Sequence, residues 1–149
     1  MVFRAPKHLD CRSADVDDPV TYTCKAGPDQ VKAGFLPDMR VEVQFHYCGS
    51  SCSRQETDAF LRSAPDRART SWTKADDSTY YAAGAFGGDD RYRMAMKRHW
   101  GRREKSTNTW HAHLLWVRAE VPKEHAATAQ KIVNDMFTQT GGFDEGDHP

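Results

Sequence analysis

The stretch "TWHAHLLWVRAEV", residues 109–121, determines the fold that this sequence predicts. Alternate residues of a β-strand point to opposite faces of its sheet. One face of this stretch would carry two tryptophans, and the other would carry aliphatic residues. The two sets are Trp110, Ala112, Leu114 and Trp116, and Leu115, Val117, Ala119 and Val121. Because both faces are apolar in the middle, we expect a central strand that is covered on both sides.

Three more segments have the composition of strands. Apolar and polar residues alternate in the first of them, which is typical of a half-buried strand. The segments are "RVEVQFHYC" (residues 40–48), "STYYAAGAF" (78–86) and "RYRMAMKRHW" (91–100). The sequence "GGDD" between the last two predicts a hairpin turn. The longer polar sequence "GRREKSTN" separates the third from the stretch at 109–121 and predicts a loop.

Two helices are expected on either side of these strands. Ser53 and Glu56 have the spacing of a capping box, which predicts a helix that ends near Ser63. Pro122 is suited to the first turn of a second helix, and Gly141 is suited to end it.

The predicted fold class is therefore α+β, with the element order β-α-β-β-β-α. We expect an antiparallel sheet of about four strands, with two helices on one face. Residues 1–38 contain turn-forming and charged residues, and they predict an irregular, disulfide-tied N-terminal arm packed on the domain. The domain itself would span residues 39–141, and residues 142–149 would form an acidic, flexible tail.

Composition restricts the classes of function. The chain has 149 residues, which predicts one domain, and its 21 acidic residues balance its 21 basic ones. No whole-chain field therefore attracts nucleic acid or an anionic membrane. The sequence contains no membrane-spanning stretch and does not begin with a signal peptide. If the protein is exported, we expect its targeting segment to lie outside this sequence.

The four cysteines form two local pairs along the sequence, Cys11 with Cys24 and Cys48 with Cys52. Four cysteines permit three pairings, and the local one is favoured because short loops close at low entropic cost. Two such disulfides predict an extracytoplasmic or secreted protein. A cytoplasmic protein with reduced cysteines is the alternative.

Reduced cysteines would allow a metal site in "HYCGSSC", residues 46–52. His46, Cys48 and Cys52, with either His111 or His113, could bind zinc if the two strands were neighbours. No further zinc motif supports this interpretation. We favour a Cys48–Cys52 disulfide and ordinary sheet histidines, and we expect no cofactor.

A metal-free catalytic site is a further alternative. His99, His111 and His113, with basic residues nearby, could act as acid, base and anion clamp in phosphodiester cleavage. The sequence "GSSCS" is not a nucleophile motif, and it is simpler to interpret it as a turn. An enzymatic function is therefore the less favoured hypothesis.

Charge is most concentrated in "RYRMAMKRHWGRREK", residues 91–105, where seven basic residues accompany one glutamate. This basic hairpin and a tryptophan-bearing sheet face are the two candidate contact surfaces. The candidate binding residues are Arg98, Trp100, Arg102, Arg103, Lys105, Trp110 and Trp116. A solvated outer strand face and tryptophans buried in the core are the simpler structural interpretations of the same residues.

The favoured function is a non-enzymatic, extracytoplasmic binding or sensing domain, of the kind that forms the soluble part of a membrane-anchored protein. Its partner would be another protein or an anionic surface. The alternatives are a small hydrolase or nuclease that uses the histidines, and a cytoplasmic protein that binds nucleic acid or takes part in phage-type interactions.

Overall fold

The fold is a seven-stranded antiparallel sheet with a helix on one face. A computed structural model describes residues 8–15, 20–34, 36–49, 59, 72–86, 90–104 and 106–141. The strands follow the order β1-β2-β3-β7-β6-β5-β4 across the sheet. They are β1 (Leu9–Asp15), β2 (Val20–Ala26), β3 (Arg40–Gly49), β4 (Thr73–Asp76), β5 (Thr79–Phe86), β6 (Arg91–Glu104) and β7 (Thr109–Pro122). The helical segments are α1 (Pro28–Lys32), a 3-10 turn (Lys123–His125) and α2 (Ala126–Gly141).

The predicted α+β class with about four strands was wrong. The described residues form seven strands and one long helix, so the molecule is mostly sheet. The four expected strands are present as β3, β5, β6 and β7, which confirms those assignments. Strands β1 and β4 lie at the two edges of the sheet. Their sequences, "LDCRSAD" and "TKAD", lack the alternation of a half-buried strand, and all four residues of β4 are exposed.

The expectation of an irregular N-terminal arm was also wrong, because β1 and β2 form a regular hairpin within the sheet. Cys11 and Cys24 lie directly opposite each other in this hairpin, and a disulfide joins them as predicted. Leu9 and Cys24 belong to the hydrophobic core, so this part of the chain contributes to the interior of the sheet. The proposed boundaries at residues 38 and 141 stay predictions, and residues 142–149 lie outside the described residues.

The core lies between the sheet and α2. Alternate residues of the central strands meet apolar residues of the helix, which packs on β7 and β6. We call this side the helix face. Its fully buried members include Val41, Val43, Met96, Leu115, Val117, Val121, Val133 and Met136. The expected last helix is present as α2, but Pro122 does not open it: Pro122 ends β7, and the 3-10 turn precedes the helix, which begins at Ala126.

Strand β7 is central, as predicted, with β3 and β6 as its neighbours. Residues on both of its faces are buried: Val117 is on the helix face, and Leu114 and Trp116 are on the opposite face. The helix expected near residues 53–63 lies outside the described residues, apart from Ala59, which is helical and exposed.

Candidate functional site

Among the described strands, β6 and β7 continue to pair with each other beyond the point where their neighbours stop pairing with them. The two strands pair from Arg91–Pro122 to Glu104–Thr109. Pairing of β5 with β6 ends at Arg98, and pairing of β3 with β7 ends at Ala112. Residues 100–112 therefore form what we call the projecting hairpin. We expected β6 to end at Trp100. Residues 101–104, which were predicted to form a loop, instead extend the strand and continue its pairing with β7.

The projecting hairpin carries most of the candidate binding residues. Its register places Trp100 opposite His113, Arg102 opposite His111, and Arg103 opposite Trp110. Lys105 lies outside the described residues. Asn108 closes the turn with a φ of 56°, a left-handed conformation that asparagine tolerates better than most residues. The sequence from Arg102 to Lys105 has three basic residues and one glutamate, so the tip has a local positive charge on a neutral chain.

An aromatic group lies at the base of the projecting hairpin, on the helix face. The His113 ring centroid is 5.1 Å from that of Tyr47 and 5.7 Å from that of Phe45. Tyr47 is 48% exposed, which makes it the exposed large hydrophobic residue of the described chain. Sequence reasoning missed its role, although its position at the end of a strand rich in apolar residues was a usable signal.

Of the other basic residues of β6, Arg93 and Lys97 are buried, whereas Arg91 forms a partly exposed ion pair. Arg93 is 8% exposed and pairs with Glu120, whereas Arg91 pairs with Asp38 at 2.9 Å. Lys97 is 1% exposed. These side chains face away from α2, as the alternation of β6 predicts, but they do not form a solvated face.

Arg98 lies on the helix face near the β4–β5 turn, and it is half-buried. Burial lowers the pKa of its guanidinium, and the nearby Asp76 carboxylate opposes that effect. For Asp76 itself, burial alone would raise the pKa. Hydrogen bonds from the Ser78 amide and hydroxyl and from Thr79 outweigh burial, and they lower the pKa. Arg98 therefore lies half-buried in the body of the sheet and not at the tip of the hairpin.

The face opposite the helix contains a network of charges across three strands. Arg118 lies 2.7 Å from Glu42 on β3 and 3.4 Å from Glu120 on its own strand. Arg93 on β6 and Arg40 on β3 extend the network, at 2.6 Å from Glu120 and 3.3 Å from Glu42.

Trp116 belongs to this opposite face and is 4% exposed. The Arg118 guanidinium carbon lies 5.0 Å from the centroid of the Trp116 ring. This burial supports the interpretation of Trp116 as a core residue, and its part in a contact surface stays a prediction. The side chain of Trp110 lies outside what the structure describes.

The structure does not bring the candidate histidines into one site. His46 and His99 flank Leu114 on the face opposite the helix, whereas His113 contacts Tyr47 on the helix face. A catalytic set with His99 and His113 together, or a zinc site with His46 and His113 together, therefore lacks the required geometry. For His111 the structure gives only the register position opposite Arg102.

Metal ligation has no support among the described residues, where no group of three or more His, Cys, Asp or Glu side chains is placed to hold an ion. Cys52 and the Cys48 side chain lie outside the described part of the chain. The Cys48–Cys52 disulfide therefore stays a prediction.

The confirmed Cys11–Cys24 disulfide is compatible with an extracytoplasmic location. None of the described helices has the length and apolar character needed to cross a lipid bilayer.

Comparison with known proteins adds little to this description. No protein family model matches the sequence, and no curated protein matches it. One solved structure similar to this chain is that of LpqN, which is involved in cell envelope biogenesis of Mycobacterium tuberculosis. The similarity covers 89% of this chain and 77% of LpqN, with 10% sequence identity and a TM-score of 0.45. A similarity of this size carries no argument about function, so the function has to be inferred from the geometry.

Proposed function

We propose that this chain is a non-enzymatic, extracytoplasmic binding domain whose projecting hairpin contacts an anionic lipid surface. The observation that carries the proposal is the length of the β6–β7 ladder, which continues past the last paired residues of β5 and β3. A two-stranded ribbon of this kind can reach a surface that the body of the sheet does not touch.

The residue types of the projecting hairpin fit an anionic lipid surface. Arg102, Arg103 and Lys105 supply cations, each worth about 1 kcal/mol beside anionic headgroups. Trp100 and Trp110 accompany them in the sequence. Tryptophan and tyrosine favour the boundary between headgroups and acyl chains, because one part of the ring is apolar and another is polar. Tyr47, exposed at the base of the hairpin, has the same character.

The charge distribution also favours the tip as the contact. In the described part of β6, Arg91 and Arg93 are paired with carboxylates, and Lys97 is buried. Arg93 and Lys97 are therefore shielded from an external anion, and Arg91 already has a carboxylate partner. If the hairpin binds the lipid surface, the binding should therefore depend on Arg102 and Arg103.

The test is co-sedimentation with vesicles of phosphatidylglycerol and phosphatidylcholine at a 3:7 ratio, in low salt. We expect the wild-type protein to bind them and to be released by added salt, since ionic contacts with a surface are screened. The variant Arg102→Glu/Arg103→Glu should bind at least about 30-fold more weakly, because two favourable contacts become repulsive.

The matched control is Lys25→Glu/Lys32→Glu, which makes the same change in net charge. Both lysines are exposed. Lys25 lies opposite Arg40 in the β2–β3 ladder, at the end of the sheet away from the hairpin. This control should bind as the wild type does. The proposal fails if the wild type ignores the anionic vesicles, or if both double variants lose the same affinity.

The alternatives differ in their support. His99 and His113 lie on opposite faces of the sheet, which does not favour a histidine-dependent hydrolase, and that alternative stays a prediction. Binding of nucleic acid stays a prediction. Salt-sensitive binding of a single-stranded oligonucleotide, without binding to the vesicles, would favour it over the lipid surface.

A further inference from the structure

Strand β1 forms one edge of the sheet, and its neighbour among the described strands is β2. From Leu9 to Ser13 the two strands pair without a shift of register. The side chains near the middle of β1 are exposed, at 60% for Asp10 and 82% for Arg12. An edge strand with a regular ladder on its inner side can accept another strand on its outer side.

Hydrogen bonding within the sheet indicates which backbone groups of β1 point outward. The Ala26 amide donates to the Met39 carbonyl oxygen, on the side of β2 that faces β3. Because backbone groups alternate in direction along an antiparallel strand, the N–H and C=O of Cys24, two residues earlier, also point toward β3. Cys11 lies opposite Cys24, and their Cα atoms are 3.9 Å apart, closer to the spacing of a non-hydrogen-bonded pair than to that of a hydrogen-bonded one. The N–H and C=O of Cys11 therefore point toward the outer edge of the sheet.

The charges of β1 are complementary to those of a second β1 that runs in the opposite direction. Asp10 and Arg12 flank Cys11 in the sequence and share one face of the strand. If two β1 strands pair with Cys11 opposite Cys11, Asp10 of each copy lies opposite the partner's Arg12. Opposite charges directly across an antiparallel pair are stabilising, and like charges are destabilising. Asp10 and Arg12 already form an ion pair within the strand, at 2.9 Å, so two copies would bring four charges of alternating sign together.

The other edge of the sheet is less suited to such pairing. Strand β4 also has a lysine and an aspartate two positions apart, Lys74 and Asp76, but its ladder with β5 changes register between them. An irregularity of this kind bends an edge strand and protects it from further pairing. Lys74 in addition pairs with Asp77 at 2.6 Å. Of the two edges, that of β1 therefore combines a regular ladder with complementary charges.

We propose that β1 is a self-association surface, at which two copies of this chain pair antiparallel about a two-fold axis beside Cys11. The two Cys11 residues would exchange N–H···O hydrogen bonds, and an Asp10–Arg12 contact between the copies would form on either side of them. Two seven-stranded sheets would thereby become one continuous sheet. The Cys11–Cys24 disulfide supports this arrangement, because it fixes β1 on β2 before a second copy binds. This inference goes beyond the proposed function of the hairpin and does not depend on it.

The test is sedimentation equilibrium of the oxidised protein at concentrations up to about 1 mM, because a short edge-to-edge contact is a small interface. We expect the wild type to approach the mass of a dimer at the highest concentrations. Arg12→Asp should weaken dimerisation at least about tenfold, because it places acidic residues opposite each other at two positions. Asp10→Arg/Arg12→Asp exchanges the two charges and should recover the dimer, because the charges that face each other are again opposite in sign.

A mixture of two single variants tests the same pairing without the double variant. Asp10→Arg and Arg12→Asp should each dimerise weakly alone. Their equimolar mixture should associate at least as well as the wild type, since a strand with two basic residues then faces a strand with two acidic residues. Thermal melts of each variant check that the fold is retained.

Lys74→Asp is the matched control, because it reverses a charge on the opposite edge of the sheet, where the Lys74 side chain is 52% exposed. It should dimerise as the wild type does. The hairpin variant Arg102→Glu/Arg103→Glu should also dimerise, so a loss of vesicle binding without a loss of the dimer separates the failure of one proposal from that of the other.

Three results would overturn the proposal. The first is a wild type that stays monomeric at every concentration, which would leave the β1 edge to a strand from another protein. The second is dimerisation of Arg12→Asp with the affinity of the wild type. The third is an Asp10→Arg/Arg12→Asp variant that has the wild-type Tm and stays monomeric.

Discussion

Arg93 and Glu120 lie directly opposite each other on β6 and β7, and the Nε and Nη2 atoms of the arginine are 2.9 and 2.6 Å from the same carboxylate oxygen. Their side chains are 9% and 12% exposed. A buried ion pair differs from a surface pair, because each charged group has lost its hydration and is stabilised by its partner instead.

We expect Arg93→Met to lower the free energy of unfolding by about 3 kcal/mol, because the Glu120 carboxylate would stay buried with a weaker partner. Urea denaturation measures the change. Replacing both residues with methionine should recover most of the loss, since the Glu120 carboxylate is then removed together with its partner. An exposed pair gives the comparison: Lys131→Met breaks the contact with Asp135 and should cost less than about 1 kcal/mol. Equal losses of stability in the two single variants would contradict the view that burial increases the contribution of the Arg93–Glu120 pair to stability.

Lys97 should make stability depend on pH. Its folded pKa of about 8 is below the ordinary lysine value of 10.5, so the unfolded chain binds more protons between these two pH values. The contribution of Lys97 to stability therefore rises as the pH increases from about 8 to 10.5. Below pH 8 both states are protonated, and the cost of burying the charge is complete, at about 3 kcal/mol.

The measurement compares Lys97→Met with the wild type in urea at several pH values. The variant should be the more stable protein at pH 7, and its advantage should shrink as the pH approaches 10. Lys131→Met, which removes an exposed lysine, should show no such trend. A constant difference between Lys97→Met and the wild type would mean that the amine is not desolvated in the folded protein.

The Cys11–Cys24 disulfide should stabilise the β1–β2 hairpin. It closes a loop with a sequence separation of 13, and loops of that size are worth about 3 kcal/mol in chain-entropy estimates. The double variant Cys11→Ala/Cys24→Ala should lose about that amount in chemical denaturation without a reductant. Intact mass after alkylation checks the starting state: two missing hydrogens correspond to this disulfide alone, and four would add the predicted Cys48–Cys52 bond. A double variant as stable as the wild type would show that β1 is held by the sheet alone.

The sequence predicts the interior of the sheet much better than its edges. Residues 109–121 have apolar side chains on both faces, and this strand is central, as expected. By contrast, edge strands bury few side chains, so apolar and polar residues need not alternate along them. Strand β4 is exposed throughout and owes its place to backbone pairing with β5, which no pattern of hydrophobic residues records.

The sequence likewise predicts some features of the candidate site and not others. The basic and aromatic composition of the projecting hairpin is visible in the sequence, but its projection depends on where β3 and β5 stop pairing. The burial of Lys97 could not be predicted, because alternation indicates which face a residue is on and not what covers that face, whereas the burial of Trp116 was one of the two interpretations that the sequence left open. Alternation does separate His46 from His113 once β3 and β7 are known to be neighbours.

The strand order has a consequence for how the chain assembles. Strands β1, β2 and β3 form one sequence-local meander, and β4 to β7 with α2 form another. Among the described strands the two meanders meet along the β3–β7 ladder, where Val41 pairs with Ala119 across 78 positions of chain. Local hairpins close quickly, whereas a contact this distant carries a larger loop-closure cost. We therefore expect the β3–β7 ladder to form later in folding than the local hairpins on either side of it.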